Sequence, residues 1–407
     1  MPAQVSIIVP VFNGSRFILN LIETVRAQTL TDWELIIIDD GSTDDLNTPL
    51  AQAPPDTRRQ IVRQARSGRS RARNRGLAEA RADLVAFLDV DDAWQPAYLA
   101  AMCAALDHAP RAVAAFCGWQ YMDEAGQPLP QSVLLSGPEA GQLAEDLAWR
   151  NSLLPSGVVV HRQAVLHVGG FDETLHGTED WDLWLRLRTR GTFLVVPAML
   201  TWYRTHTAST TENVLGMERE RLKLHAKHLG PLDEPLAQWP NDRRRAVGFT
   251  YFNTALGLFW QNDMASGRER IRRAVECWPD LIDRDEFYYE LGCAQQPRGV
   301  RGSAQGLDLR DGEALIHAVL FDREGPVASH SARVHWGQAC LVLARLARNT
   351  RQWPACRRYA LRALAAASNR GRLEAARMVA RSLVPQAVLD VLRRERPQLG
   401  TQPRPRP

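Results

Sequence analysis

The 407-residue sequence predicts an α/β domain built on a mostly parallel central sheet, followed by an all-α C-terminal domain. Three observations predict it. Apolar, β-branched runs alternate with helix-period segments through residues 3–115. Those runs are continuously apolar, the mark of strands buried on both faces of a sheet covered by helices. Beyond about Leu215 the β signal nearly disappears, and the chain becomes helical and rich in Arg and Ala.

VSIIVPV (Val5–Val11) is the first strand. A helix follows over about Ser15–Gln28, with Phe17, Leu21, Ile22 and Val25 at helical spacing. WELIIIDD (Trp33–Asp40) and IVR (Ile61–Arg63) are the next strands. A helix over Ser70–Ala80 then precedes LVAFLD (Leu84–Asp89). From Phe116 to Val196 the elements shorten: GVVV (Gly157–Val160) reads as a strand, EDWDLWLRLRTRG (Glu179–Gly191) as a helix ended by glycine, TFLVVP (Thr192–Pro197) as a strand. Residues 1–214 form the α/β domain and 215–245 a linking helical region. Residues 246–396 form a helical domain of tetratricopeptide-like character. Its signature is a hairpin over Phe249–Pro279, with Tyr251, Ala255, Leu258, Gly267, Ile271, Ala274 and Pro279 at the repeat's small and large positions, and a looser copy over Trp336–Ala367. Residues 295–306 read as loop and the tail 397–407 as disordered.

Composition narrows the function classes. Hydrophobic content is 45% and charged content 24%, ordinary for a globular protein. No segment approaches eighteen consecutive apolar residues, and the N-terminus lacks the pattern of a secretory signal. The six cysteines are scattered without a CxxC pair, which suits a reducing cytoplasm and indicates neither zinc nor a disulfide framework. Residues 1–210 carry 18 basic against 24 acidic side chains, whereas 211–407 carry 32 against 22. From Cys340 to Arg381 there are ten arginines and one acid, Glu374. Such a run reads either as a solvated helical surface or as a face for anionic lipid at the inner membrane surface. No aromatic-rich recognition motif accompanies it, so nucleic acid is not expected as a partner.

The chemistry-bearing residues gather at strand ends, where open α/β sheets bind ligands. No GxGxxG follows the first strand. Instead PVFNGS brings Pro10, Val11 and Asn13 into a tight loop suited to a nucleotide base. In DDGSTDD, Gly41 allows a sharp turn, one carboxylate can accept from a pyrimidine imide, and the Ser42 hydroxyl can reach a ribose. Arg69, Arg71, Arg73 and Arg75 precede the acidic strand end, and one or two of them suit phosphate through their planar forks. In DVDD, Asp89 and Asp91 are spaced to share a hard divalent cation, Mg²⁺ or Mn²⁺. Asp92 can instead cap the helix starting near Pro96. Asp180, with Glu179 beside it, opens a helix carrying Trp181 and Trp184. The helix terminus favours its ionised form and nearby indoles oppose it. Ionised, it can take a proton from an attacking hydroxyl; the alternative is that both acids merely cap the helix. Finally, WYRTHTAS offers Arg204 to phosphate and His206 to the metal or the diphosphate.

In order and spacing, VSIIVPVFNGSRFI, DWELIIIDDGSTDD, ARNRGLAEARADLVAFLDVDD and GGFDETLHGTEDWDLWLRL resemble the family-2 glycosyltransferases over residues 3–210. The resemblance implies a GT-A nucleotide-sugar-binding fold and an inverting, metal-dependent transfer of one sugar from a nucleotide-sugar to a glycan or lipid-linked acceptor, in surface-polysaccharide or glycolipid assembly. It implies Asp40 as the base-binding acid, and Asp89 and Asp91 as the DxD pair with Asp91 the direct ligand. Asp180 would be the catalytic base, and His206 and Arg204 would match a weaker pattern. No QxxRW block is present, which argues against a processive synthase. Two alternatives remain: a sugar nucleotidyltransferase, for which PVFNGS is a poor triphosphate loop, and a non-catalytic adaptor working through the helical region.

Overall fold

A computed structural model describes residues 3–134, 146–206, 213–321, 329–366 and 369–382. The tail 397–407 and the last part of the expected helical domain lie outside them. The chain divides into two compact units. The first is Met1–Pro279 with Pro297–Arg301, and the second is Asp280–Gln296 with Gly302–Pro407. The sheet-bearing unit therefore runs well past the expected boundary at 214. It takes in the expected linker and the hairpin over 249–279, because those helices pack among themselves and onto the α/β part.

The first unit is built on a nine-stranded sheet. Its strands are β1 (Val5–Val11), β2 (Trp33–Asp40), β3 (Arg59–Gln64), β4 (Leu84–Phe87), β5 (Ala93–Trp94), β6 (Ala112–Met122), β7 (Pro128–Val133), β8 (Val158–His161) and β9 (Thr192–Arg204). The order is β3-β2-β1-β4-β8-β6-β9-β5, with β7 paired to β6. Strands β1 to β4 are mutually parallel, as are β6 and β9, while β5, β7 and β8 run antiparallel to their neighbours. The sheet is thus mostly parallel, as the continuously apolar runs require. Every residue of β1 is buried. Ile7 joins one core with Leu21, Tyr98 and Leu99, and Ile8 joins the other with Leu77, Trp181 and Trp184. Alternation along one strand therefore feeds two cores, one on each face.

Helices α1 (Ser15–Arg26), α2 (Asn47–Gln52), α3 (Arg69–Glu79), α4 (Tyr98–Asp107), α5 (Arg162–His167) and α6 (Glu179–Leu187) cover the sheet. Helix α3 lies close on β1: a Cβ at Gly76 would stand 2.3 Å from Cγ2 of Ile8. Strand β9 is longer than expected and carries Trp202–Arg204 within it. Its register skips between Val196 and Met199, around Pro197, which has no N–H for the ladder. Trp119–Met122 closes β6.

Three further helices complete the unit: α7 (Val214–Leu229), α8 (Asn241–Trp260) and α9 (Met264–Cys277). The α8–α9 pair is the expected hairpin, and Gly267 lets the Phe259 ring approach. Helix α7 is fastened to α6 by the buried Asp182, whose carboxylate pairs with Lys227 and His228 as well as Arg186.

The second unit contains α10 (Asp285–Gly292), α11 (Leu309–Phe321), α12 (Ser329–Asn349), α13 (Trp353–Ala366) and α14 (Asn369–Ser382). Its arginine run is partly self-neutralised. Arg345 pairs with Asp285 and Glu374, and Arg358 and Arg362 pair with Glu313. Among the described residues no helix is long and apolar enough to cross a membrane. All six cysteines are buried and unbridged.

Candidate active site

The loops after β1 and β2 are clipped together by two of the residues expected to hold a nucleotide. Asn13 adopts φ +52°. Its Oδ1 accepts from the Thr43 and Asp44 backbone N–H groups at 2.8 and 3.3 Å, and its own N–H donates to Ser42 Oγ at 3.1 Å. Pro10 and Val11 are buried in β1 directly below. Gly41 turns the chain at φ +73°, where a Cβ would stand 2.7 Å from the Arg66 backbone nitrogen. Asp40 is buried, and its carboxylate accepts from Gln64 Nε2, Ser67 N–H and Gly68 N–H, each at 2.8 Å. It fixes the loop that leads into α3, and three of its lone pairs are already used.

The DVDD segment is not a strand end. Strand β4 stops at Phe87, and the Asp92 N–H donates to the Asp89 carbonyl at 3.0 Å, closing a four-residue turn. In a turn the strand rule for i and i+2 lapses, and the three acids take three sets of partners. Asp89 accepts from Arg73 at 2.6 Å. Asp91 Oδ2 meets His206 Nε2 at 2.8 Å. Asp92 is buried and accepts from Ser156 Oγ at 2.5 Å and from the Arg204 N–H at 3.1 Å. Burial, with Asp91 and Asp89 close by, pushes the Asp92 carboxyl well above the usual range. It therefore braces β9 and the turn before β8 and does not cap α4. Ser156 also accepts from the Asp89 N–H at 3.1 Å.

Of the expected ligands Asp89, Asp91 and His206, Asp91 and His206 meet while Asp89 is engaged by Arg73. Among the described residues, no group of three His, Cys, Asp or Glu side chains is gathered to hold a metal ion.

The arginines divide their labour in a way the sequence did not reveal. Arg73, expected at the nucleotide-sugar, has a fully buried side chain and donates to Glu179 at 2.9 Å as well as to Asp89. It is a strut between two carboxylates, out of reach of a ligand. Arg69, one turn earlier on α3, has 43% of its side chain exposed and lies 3.8 Å from Glu179. Partial burial opposes its charge, yet Asp89, Glu179, Asp91 and Asp180 together hold it above the usual arginine range. Arg204 spends its guanidinium on the Asp91, Asp123 and Glu124 carbonyls and on Asn20. It supports the Asp91 turn from behind.

At the start of α6 the two adjacent acids behave differently. Glu179 is buried, taking Arg73 on one oxygen and the Gly177 N–H, at 2.6 Å, on the other. Asp180 is partly exposed and accepts from Asn151 Nδ2 at 2.9 Å. Burial and the neighbouring Glu179 push its carboxyl up to about 7, against the pull of Arg73, the Trp181 backbone and Asn151. Between the two opposing influences expected at this helix terminus, the one favouring the proton prevails. Asn151, Ser156 and Asp92 were not foreseen as site residues. Their signal is only their arrival from distant segments.

The fold and these positions can be set beside known proteins. The sequence model of glycosyl transferase family 2 matches residues 6–165. Those residues thus carry a domain of that family. An uncharacterized glycosyltransferase of Nostoc sp., alr2836, is 43% identical over 96 residues, which span 23% of this chain and 30% of that protein. An uncharacterized glycosyltransferase of Bacillus subtilis, YwdF, is 26% identical over 239 residues, or 56% of this chain and 86% of that one. The chain thus spans under a third of the first relative and most of the second. Among solved structures, S. aureus TarS 1-349 in complex with UDP-GlcNAc aligns at a TM-score of 0.50 and 15% identity, covering 86% of this chain and 92% of that chain. This likeness speaks to the fold, which is of the expected GT-A type.

Proposed function

We propose that the protein is an inverting glycosyltransferase that moves one sugar from a nucleoside-diphosphate sugar to an acceptor hydroxyl. The observation that carries the reading is the convergence on Arg69. Asp89 and Asp91 come from the β4–β5 turn and Glu179 and Asp180 from α6, and all four act on one exposed guanidinium. A carboxylate able to take a proton and a cation able to face a phosphate are thereby brought to one place, as a single displacement demands.

In this reading Asp180, ionised, removes the acceptor's proton as its oxygen attacks the anomeric carbon. Asn151 keeps the carboxylate aimed. Arg69 meets the departing diphosphate, and Arg73 keeps Asp89 and Glu179 in register without touching substrate. The Asn13–Ser42 clip and the loop fixed by Asp40 shape the nucleotide end. Asp91 and His206 suit a divalent cation, Mg²⁺ or Mn²⁺. Their donor atoms are already 2.8 Å apart, the Asp91 side chain is 27% exposed, and hard cations complete their shell with phosphate oxygens and water. When bound, such an ion would supply positive charge to the leaving diphosphate.

The acceptor would be a glycan or lipid-linked sugar of surface-polysaccharide or glycolipid assembly, met in the cytoplasm or at the inner membrane face. The test is a panel of nucleotide-sugars assayed for hydrolysis and transfer. Turnover of one donor with an inverted product supports the proposal. Binding without turnover favours the adaptor reading, and pyrophosphate-dependent cleavage of a nucleotide-sugar to sugar 1-phosphate and nucleoside triphosphate favours a nucleotidyltransferase.

A further inference from the structure

We infer that the outward faces of α13 and α14, in the second unit, form a docking surface for an anionic lipid bilayer. Glu374 is the lone acid between Cys340 and Arg381, and it is spent inside the unit. Arg345 Nε donates to its Oε1 at 2.8 Å and Arg345 Nη2 to its Oε2 at 2.7 Å, so an arginine of α12 takes both carboxylate oxygens. Arg358 and Arg362 are engaged by Glu313 of α11. Arg357 donates to the Ser382 carbonyl at 3.1 Å. That bond ties the first half of α13 to the end of α14, so the consecutive helices run antiparallel.

The charge left on the outward side is all of one sign. Arg372, Arg377 and Arg381 are exposed, and among the described residues their side chains make neither an ion pair nor a hydrogen bond. On α14, Leu373, Arg377 and Arg381 recur at four-residue steps and share one stripe, with Arg372 beside it. Ala375 and Met378 are buried on the other side of the helix. On α13, Arg357 and Leu361 recur in the same way over a buried side of Cys356, Tyr359, Ala360 and Ala363.

Two leucines stand among these arginines on the wet side of helices whose core side is already filled. Leu361 is 51% exposed and Leu373 58%. A bilayer surface satisfies both residue types at once. Arginine forks meet headgroup phosphates, and leucine side chains enter the boundary between headgroups and acyl chains. Each basic side chain near an anionic leaflet strengthens binding by about fivefold. The phosphates of a nucleic acid would meet the same arginines but offer no apolar layer to the leucines, and this decides for lipid.

The experiment sediments the full chain with vesicles of equal parts phosphatidylglycerol and phosphatidylcholine, and with phosphatidylcholine alone, at about 0.1 M and about 0.5 M salt. Wild type should bind the anionic vesicles, spare the neutral ones and lose most of its binding at the higher salt. Arg372→Gln/Arg377→Gln/Arg381→Gln should weaken binding at least tenfold. A charge-matched control on exposed arginines of the first unit, Arg26→Gln/Arg190→Gln/Arg268→Gln, should change it less than threefold. Leu361→Ser/Leu373→Ser should weaken it several-fold with the charge untouched. Every substitution lies on an exposed side chain, and circular dichroism checks that each variant is folded. Absence of binding by wild type, equal binding by the arginine variant, or an equal fall in the control overturns the surface. An unchanged leucine variant overturns the assignment to lipid, as does tighter binding of a DNA duplex than of the vesicles. Sedimentation requires no sugar transfer, so an inactive enzyme that still binds vesicles counts against the glycosyltransferase reading and supports the surface.

Discussion

Arg73 and Glu179, 106 residues apart in the chain, are joined by a 2.9 Å hydrogen bond at a point with no access to water. The same guanidinium reaches Asp89 at 2.6 Å. One buried cation therefore holds the turn after β4 and the start of α6 at a set separation. Removing it strips two carboxylates of their hydrogen-bonded cation and leaves only the partly exposed Arg69 nearby. Arg73→Met should lower stability by about 3–5 kcal/mol, the usual cost of breaking a buried pair by deleting one partner. Chemical denaturation followed by circular dichroism checks this.

Arg69 should behave in the opposite way. Its side chain is exposed, and surface ion pairs contribute only about 0–1 kcal/mol. Arg69→Gln should unfold within about 1 kcal/mol of wild type, yet lose roughly tenfold or more in turnover of the cognate donor. Equal turnover by the variant would remove Arg69 from the diphosphate.

Asp180 should impose a pH limb. Only the ionised carboxylate can accept a proton, and its pKa lies near 7. The kcat/KM profile should fall below pH 7 with an apparent pKa in that region. Asp180→Asn should reduce kcat by about 10²–10⁴ and abolish the limb. The stability effect has its own sign. A folded-state pKa above the unfolded value of about 3.9 means the folded chain holds the proton more tightly. Stability is then fullest below pH 4 and declines as pH rises through about 7, a decline that Asp180→Asn should lack.

Asp91 and His206 should act together on metal. Asp91→Asn and His206→Gln should each remove the Mn²⁺-dependent part of UDP binding, measured by calorimetry with and without the ion. Asp89→Asn, whose wild-type carboxylate is engaged by Arg73, should keep most of it. If all three variants bind alike, the two-ligand assignment fails.

Ser156 joins two acids of one turn, donating to Asp92 and accepting from the Asp89 N–H. Ser156→Ala leaves a buried acid and a backbone N–H short of a partner. A loss of about 1–3 kcal/mol should follow, seen as a lower thermal midpoint.

The linear order of residues determined the sheet, because burial on two faces demands unbroken apolar runs that polar segments cannot imitate. It also determined that Asp40, Asp89, Asp91 and Asp180 would stand near strand or helix ends, since polar groups cannot interrupt those runs. Which arginine of Arg69, Arg71, Arg73 and Arg75 would be sealed and which exposed was not legible: helical phase gives direction, but what lies in that direction comes from elsewhere. Nor could DVDD show that its acids would part company, because a turn and a strand end differ in backbone dihedrals, and those were decided by Ser156, His206 and the Arg204 N–H. Tertiary structure also lifted the Asp180 proton affinity. That shift arises from desolvation and from Glu179 beside it, and the depth of burial depends on the whole fold. Charge placement is a property of space, and sequence carries it only where the chain is its own nearest neighbour.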